Sequence, residues 1–116
     1  MIALVCGGRN YEDFAHVCEV LDSFEAFGGE KITSIVHGAA RGADTLAARW
    51  AEKRGIPARA FPANWELHGR AAGHVRNKDM LLTGKPRVVI AFPGGAGTAN
   101  MMQQARQAGV NVVRIR

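Results

Sequence analysis

Pro86-Arg87-Val88-Val89-Ile90-Ala91-Phe92 runs directly into Pro93-Gly94-Gly95-Ala96-Gly97-Thr98, so that an apolar, strand-like segment ends in a glycine-rich turn and a helical stretch begins. Glycine lets the chain turn tightly and approach a bound group closely, while the free N–H groups and positive dipole end of the following helix favour an anion. The segment is therefore expected to cradle a phosphate; a tight strand-to-helix turn without a ligand is the alternative. The same arrangement occurs twice more. Cys6-Gly7-Gly8-Arg9 follows the apolar run Ile2 to Val5, and His37-Gly38-Ala39-Ala40-Arg41-Gly42 follows Ile32 to Val36. Three glycine loops after three strands are harder to dismiss than one.

Working outward, hydrophobic periodicity predicts a first strand over Ile2 to Cys6 and a helix over Asp13 to Phe27, with Phe14, Val17, Cys18, Leu21 and Phe24 on its apolar face. Gly28-Gly29 ends that helix. A second strand is expected from Ile32 to His37. A helix from Ala43 to Arg54 then carries Leu46, Ala47, Trp50 and Ala51 on one side and closes at Gly55. A short third strand covers Ala58 to Phe61. The polar stretch Pro62 to Gly69 reads as irregular and leads into a helix from about Arg70 to Leu82. Gly84-Lys85-Pro86 restarts the chain as strand four, and the last unit is a helix from Thr98 to Ala108, a stop at Gly109 and a strand from Val110 to Ile115.

Strands alternating with helices, the strands apolar almost throughout, imply a parallel sheet covered on both faces and joined by right-handed crossovers. The expected fold is a doubly wound α/β domain over residues 1–116, with five strands in the order 3-2-1-4-5 and helices on both faces. Ligands in such sheets sit beyond the carboxyl ends of the strands at the point where the order reverses. The Gly7-Gly8-Arg9 and Pro93-Gly94-Gly95 loops would then face each other across one crevice, flanked by His37 to Gly42.

At 116 residues the chain is expected to form one domain, and its 47% hydrophobic and 22% charged content is ordinary for a soluble protein. No run reaches the roughly 20 apolar residues of a membrane span, and Met1 to Arg9 lacks the basic leader of a signal sequence, so a cytoplasmic location is expected. Cys6 and Cys18 read as small reduced hydrophobes rather than a disulfide. The net charge of +5 is largely arginine. Arg9, Arg41, Arg70 and Arg76 lie in or beside the glycine-rich segments and suit bidentate recognition of phosphate. The other basic residues are scattered among acids, as on a solvated surface.

Four segments together resemble a known family. Gly7-Gly8-Arg9-x-Tyr11-x-Asp13, Val36-His37-Gly38-Ala39-Ala40-Arg41-Gly42-Ala43-Asp44, Ala72-Gly73-x-x-Arg76-Asn77-x-x-Met80 and Phe92-Pro93-Gly94-Gly95-x-Gly97-Thr98 look like the YspA-type branch of the SLOG superfamily. That superfamily includes the Lonely Guy phosphoribohydrolases, the Rossmann domain of DNA-processing protein A, and stand-alone domains thought to sense nucleotide-derived ligands. The resemblance spans essentially the whole chain and implies a Rossmann-like fold. In Lonely Guy enzymes the loop reads Pro-Gly-Gly-x-Gly-Thr-x-x-Glu, and its glutamate works with an arginine to cleave the N-glycosidic bond of a nucleoside monophosphate. Here His74-x-Arg76 is present, but Asn77 replaces a lysine and Met101 stands at the glutamate position. A thioether neither stabilises oxocarbenium charge nor handles a proton, so binding is the expectation and hydrolysis by that route is not.

The expected ligand-binding set is Gly7, Gly8, Arg9, Asp13, His37, Gly38, Arg41, Gly42, Asp44, Arg76, Asn77, Pro93, Gly94, Gly95, Gly97 and Thr98. Several have structural alternatives. Arg9 and Arg76 could pair with Asp13 or Asp44, and Asp44 could cap free N–H groups rather than meet a ribose. His37 could be a hydrogen-bonded structural group. Trp65 either plugs the domain edge or stacks on a base, and Trp50 reads as core or a subunit contact. His68 and His74 lack ligand spacing, and no metal or cofactor is expected. The leading expectation is binding of a nucleotide or nucleotide-derived small molecule. The alternatives are a nucleoside-monophosphate N-glycosidase using another acid, with Glu66 and Asp79 as candidates, and single-stranded DNA binding, which eight aromatic residues, mostly core, do not favour. A homodimer is expected from the large apolar side chains of Trp50, Met80, Met101 and Met102.

Overall fold

The computed structural model describes residues 1–28 and 30–116, with only the backbone described for residues 25–28. Strand β1 (Ile2–Cys6) lies at the centre of a five-stranded sheet, flanked by β2 (Ser34–His37) and β4 (Val88–Ala91), with β3 (Ala58–Ala60) and β5 (Asn111–Arg114) at the edges. Every pairing is parallel, and the order is β3-β2-β1-β4-β5, as the alternation of elements predicts. The register sets Leu4 beside Val36 on one side and beside Val89 on the other.

The helices divide between the two faces because side chains alternate along each strand. Ala3 and Val5 point into a cluster with Val17 and Leu21 of α1 (Phe14–Gly28) and with Leu46, Ala47 and Trp50 of α2 (Ala43–Arg54). Leu4 and Cys6 point the other way, onto Met80 of α4 (Ala72–Gly84) and onto Met101 and Ala105 of α5 (Ala96–Gln107). With both faces covered, β1 and β4 carry no polar side chain at all.

Differences from the sequence reading are confined to element ends and one short helix. The stretch expected to be irregular contains α3 (Trp65–His68), started by Asn64, whose side-chain oxygen accepts from the Leu67 N–H at 3.0 Å. A 3-10 turn over Gly69–Ala71 follows, so α4 begins at Ala72 rather than Arg70 and runs on through Gly84. Helix α5 begins at Ala96, two residues earlier than expected, with Gly95 at its N-cap. The stop at Gly28-Gly29 falls in part on Gly29, outside the described residues.

Trp50, Met80 and Met101 are 3%, 2% and 0% exposed within the single chain. The two faces of one sheet absorb these three, and Met102 is half-buried against the cluster that holds Met80 and Met101, so these side chains do not by themselves support a homodimer. Trp50 also donates its indole N–H to Asp22 at 2.8 Å, which makes it core rather than a subunit contact. No helix among the described residues is long and apolar enough to cross a membrane.

Candidate functional site

The loops that leave the carboxyl ends of β1, β2 and β4 meet around one cleft of about 950 Å³. Their backbones are in direct contact. Gly8 N–H donates to the Pro93 carbonyl at 2.8 Å, and a Cβ on Gly94 would stand 2.7 Å from the Gly8 nitrogen. Gly42, at φ +79°, lies so close to the Gly8 carbonyl that a side chain would collide with it. These glycines let three loops share one point. Gly7, Gly8, Arg9, Gly38, Arg41, Asp44, Arg76, Asn77, Gly95, Gly97 and Thr98 of the expected set line the cleft, together with Cys6, Trp65 and Met80.

The other members of the set lie behind it. Asp13 caps α1 by accepting from His16 N–H at 3.0 Å, and Pro93, Gly94 and Gly42 form the contact between loops. His37 is 8% exposed, and its Nδ1 accepts from Ala39 N–H at 3.0 Å; burial pushes its pKa down, so the ring is a neutral structural acceptor. Among the acids considered for catalysis, neither Glu66 nor Asp79 lines the cleft, and both are exposed.

The three glycine loops look alike in sequence but differ in what their N–H groups do. In the loop after β2, Gly38 and Ala40 donate to Asp44 Oδ2 at 3.0 and 3.3 Å, and Ala39 donates to His37. Three successive amides are thus taken by the protein itself, and Ala39 is held at φ +58° as a result. In the loop after β1, Gly8 is bonded to Pro93. After β4 the open amides lie at the start of a helix. Helix α5 has no side-chain cap and no acid in its first turn, and among the described residues no acceptor takes the Ala96, Gly97 or Thr98 N–H. Thr98 is 7% exposed and lines the cleft, and no described group pairs with its hydroxyl. Four donors therefore converge there, with the helix dipole behind them.

Opposite this terminus, Arg76 is held in place from two sides. Its Nη1 donates to the Gly38 carbonyl at 2.7 Å and its Nε to Asn77 Oδ1 at 3.0 Å, and among the described residues no acceptor takes Nη2. The buried Asn77 amide in turn donates to Gly97 O at 3.3 Å and to Asn100 Oδ1 at 3.1 Å, and Gln104 donates to Asn100 at 2.8 Å. The Arg76-Asn77 pair thus ties the β2 loop to the start of α5. A Cβ on Gly73 would have Arg76 Nη2 at 3.8 Å and the Trp65 ring at 4.0 Å, so the free guanidinium edge and the half-exposed indole stand close together. Asn100 and Gln104 escaped the sequence reading; their signal was a polar i, i+4 pair beside the apolar positions Met101 and Ala105.

Three titrating groups in the cleft are displaced by burial, which lowers the pKa of Arg76 and raises those of Asp44 and Cys6. The Asp44 pKa is raised to about 6: desolvation outweighs the Ala40 N–H, the charge of Arg76 and the Gly38 N–H, all of which act to lower it. The Cys6 thiol is pushed up to about 12, first by burial and then by Asp44, so it is no thiolate nucleophile. Met101, at the position where Lonely Guy enzymes place glutamate, is fully buried among Leu4, Met80 and Val89 and does not reach the cleft. Among the described residues no group of three or more His, Cys, Asp and Glu could hold a metal ion.

Comparison with known proteins agrees with this architecture. DNA processing protein A (DprA) from Streptococcus pneumoniae superposes with a TM-score of 0.75 at 20% identity, over 98% of this chain and 50% of that one. The likeness is one of fold, and the chain spans half the length of DprA. Gene 61 protein of Mycobacterium phage D29 is 37% identical over 117 residues, covering 95% of this chain and 92% of that protein. A family model described as YspA, cpYpsA-related SLOG family matches residues 1–68, which contain the β1 and β2 glycine loops. The chain therefore belongs to the YspA, cpYpsA-related SLOG family.

Proposed function

We propose that the cleft binds a nucleotide or a nucleotide-derived small molecule, with its phosphate on the Ala96, Gly97 and Thr98 N–H groups and the Thr98 hydroxyl, and its base toward Trp65. The observation that carries this reading is the uncapped α5 terminus beside a threonine hydroxyl that is unpaired among the described residues and opens on the cleft, across from Arg76. Arg9 and Arg41 line the same cleft, and neither forms an ion pair among the described residues, so both are free to meet phosphate oxygens. Binding without the Lonely Guy type of hydrolysis is what Met101 supports, since the expected carboxylate is replaced by a thioether in the core. Single-stranded DNA is the weaker alternative: Trp65 is the one aromatic residue among the described residues lining the cleft, whereas strand binding uses successive stacking platforms. The reading includes a cytoplasmic location, supported by two free thiols, Cys6 and Cys18.

Gly95→Val tests the site. A Cβ at Gly95 meets nothing within 4 Å, so the variant folds, while a branched side chain intrudes on the space in front of α5. Calorimetric titration with a panel of nucleoside mono- and diphosphates should show affinity falling at least about tenfold against the parent, a loss of roughly 1.4 kcal/mol. A folded Gly95→Val protein with parental affinity would refute the phosphate site.

A further inference from the structure

We propose that Asp44 reads the ribose of the ligand, which makes the ligand class a ribonucleotide rather than its deoxy forms; this rests on the nucleotide reading above. Asp44 is 5% exposed, yet it lines the cleft. Both of its hydrogen bonds, from Gly38 N–H and Ala40 N–H, go to Oδ2, and among the described residues no hydrogen bond or ion pair uses Oδ1. One oxygen of this carboxyl is fixed while the other, unpartnered among the described residues, is not sealed off, so a donor can reach it from the side of the cleft. Arg76 leaves that role open, because its bonds go to Gly38 O and Asn77 rather than to Asp44.

The chemistry of that donor follows from position. The β2 loop, whose amides Asp44 holds from the first turn of α2, and the α5 terminus that would hold phosphate are tied to two neighbouring residues, Gly38 O to Arg76 and Gly97 O to Asn77. The carboxyl therefore sits close to the phosphate cradle, where it repels an anion and accepts from a neutral group one link away. In a nucleotide the neutral donor next to the phosphate is the pair of sugar hydroxyls. The base, one link further, has Trp65 beside the free edge of Arg76.

The experiment is calorimetric titration of the full chain with AMP and GMP, each against its 2′-deoxy, 3′-deoxy, 2′-fluoro and 3′-fluoro forms. Fluorine accepts weakly but does not donate, so a hydroxyl that donates to Asp44 should be missed equally in the deoxy and fluoro compounds, with affinity lower by at least about tenfold at that position. Asp44→Asn keeps an oxygen for the Gly38 and Ala40 amides but turns the free oxygen into a donor. It should reduce the ribo-to-deoxy ratio to about one. Equal binding of ribo and deoxy forms by the parent overturns the assignment of Asp44 alone, as does a fluoro compound that binds like the ribo form or an Asp44→Asn ratio equal to the parent's. The ligand series on the parent decides the matter even where the variant fails to fold. Failure of every nucleotide to bind overturns the nucleotide reading itself, and this proposal with it.

Discussion

At Asp44, burial outweighs two backbone hydrogen bonds and a nearby guanidinium, and the folded-state pKa of about 6 lies above the ordinary aspartate value of 3.8. The folded protein then binds more protons than the unfolded chain between those values, so this carboxyl lowers stability as pH rises through that window. Replacement by Asn removes the titration while keeping an acceptor for Gly38 and Ala40. The stability of Asp44→Asn relative to the parent should therefore rise from pH 4 to pH 7, by at most about 3 kcal/mol, in paired urea unfolding series. A gap that is flat with pH would show that Asp44 ionises freely in the fold. Arg76 invites a different substitution. Arg76→Lys keeps the charge but cannot hold Gly38 O and Asn77 while offering a free edge, and should weaken nucleotide binding by roughly 1–3 kcal/mol in calorimetry. Neighbouring glycines should part ways as well. Gly94→Ala drives a methyl into the Gly8 backbone and should cost about 1–3 kcal/mol, whereas Gly95→Ala, which meets open space, should be neutral or slightly stabilising in the same unfolding assay.

Among the elements, α1 offers the cleanest separation of folding from binding. Asp13 was expected to touch ligand, but its carboxylate accepts from His16 N–H at the helix start. Asp13→Ala should cost about 1 kcal/mol in thermal unfolding with no change in nucleotide affinity. Strands β1 and β4, α2 and the sheet order were legible because unbroken apolar runs between glycine stops admit few other readings. Helix α3 was not, since four residues are too few to establish a period and only Asn64 marks its start. The loops were legible as loops, but not in their chemistry. Gly38-Ala39-Ala40 and Gly95-Ala96-Gly97 are nearly the same composition, and one is closed while the other is open because Asp44 and His37 fold back onto the first. That difference depends on where side chains from other positions point, which no local pattern contains. The helices on the far face raised the same difficulty, since whether Met101 reached the cleft or the core turned on a rotation invisible to spacing.

For the molecule as a whole, the cleft and the apolar layer beneath it are separate compartments, with Cys6 and Met80 common to both. Met101→Glu, the substitution that would copy the Lonely Guy loop, places an unpaired carboxyl in the lower one. It should destabilise the protein by about 3–5 kcal/mol at pH 8, less at pH 5 where the acid is neutral, and release no free base from a nucleoside monophosphate. Urea unfolding at both pH values, with a chromatographic assay for free base, checks each part, and hydrolysis by a stable variant would show that the side chain turns outward. The central place of β1 also sets a timetable. Cys6 pairs with Ala91, 85 residues later, and at about 5–20 residues per second the ribosome needs roughly 4–17 s to supply that partner. Until then one long edge of the first strand made stands open, a template for any other extended chain. The growing polypeptide is thus most exposed to mispairing while most of it has already been synthesised, and the strand that leads into the glycine loop before α5 is also the one that ends that exposure.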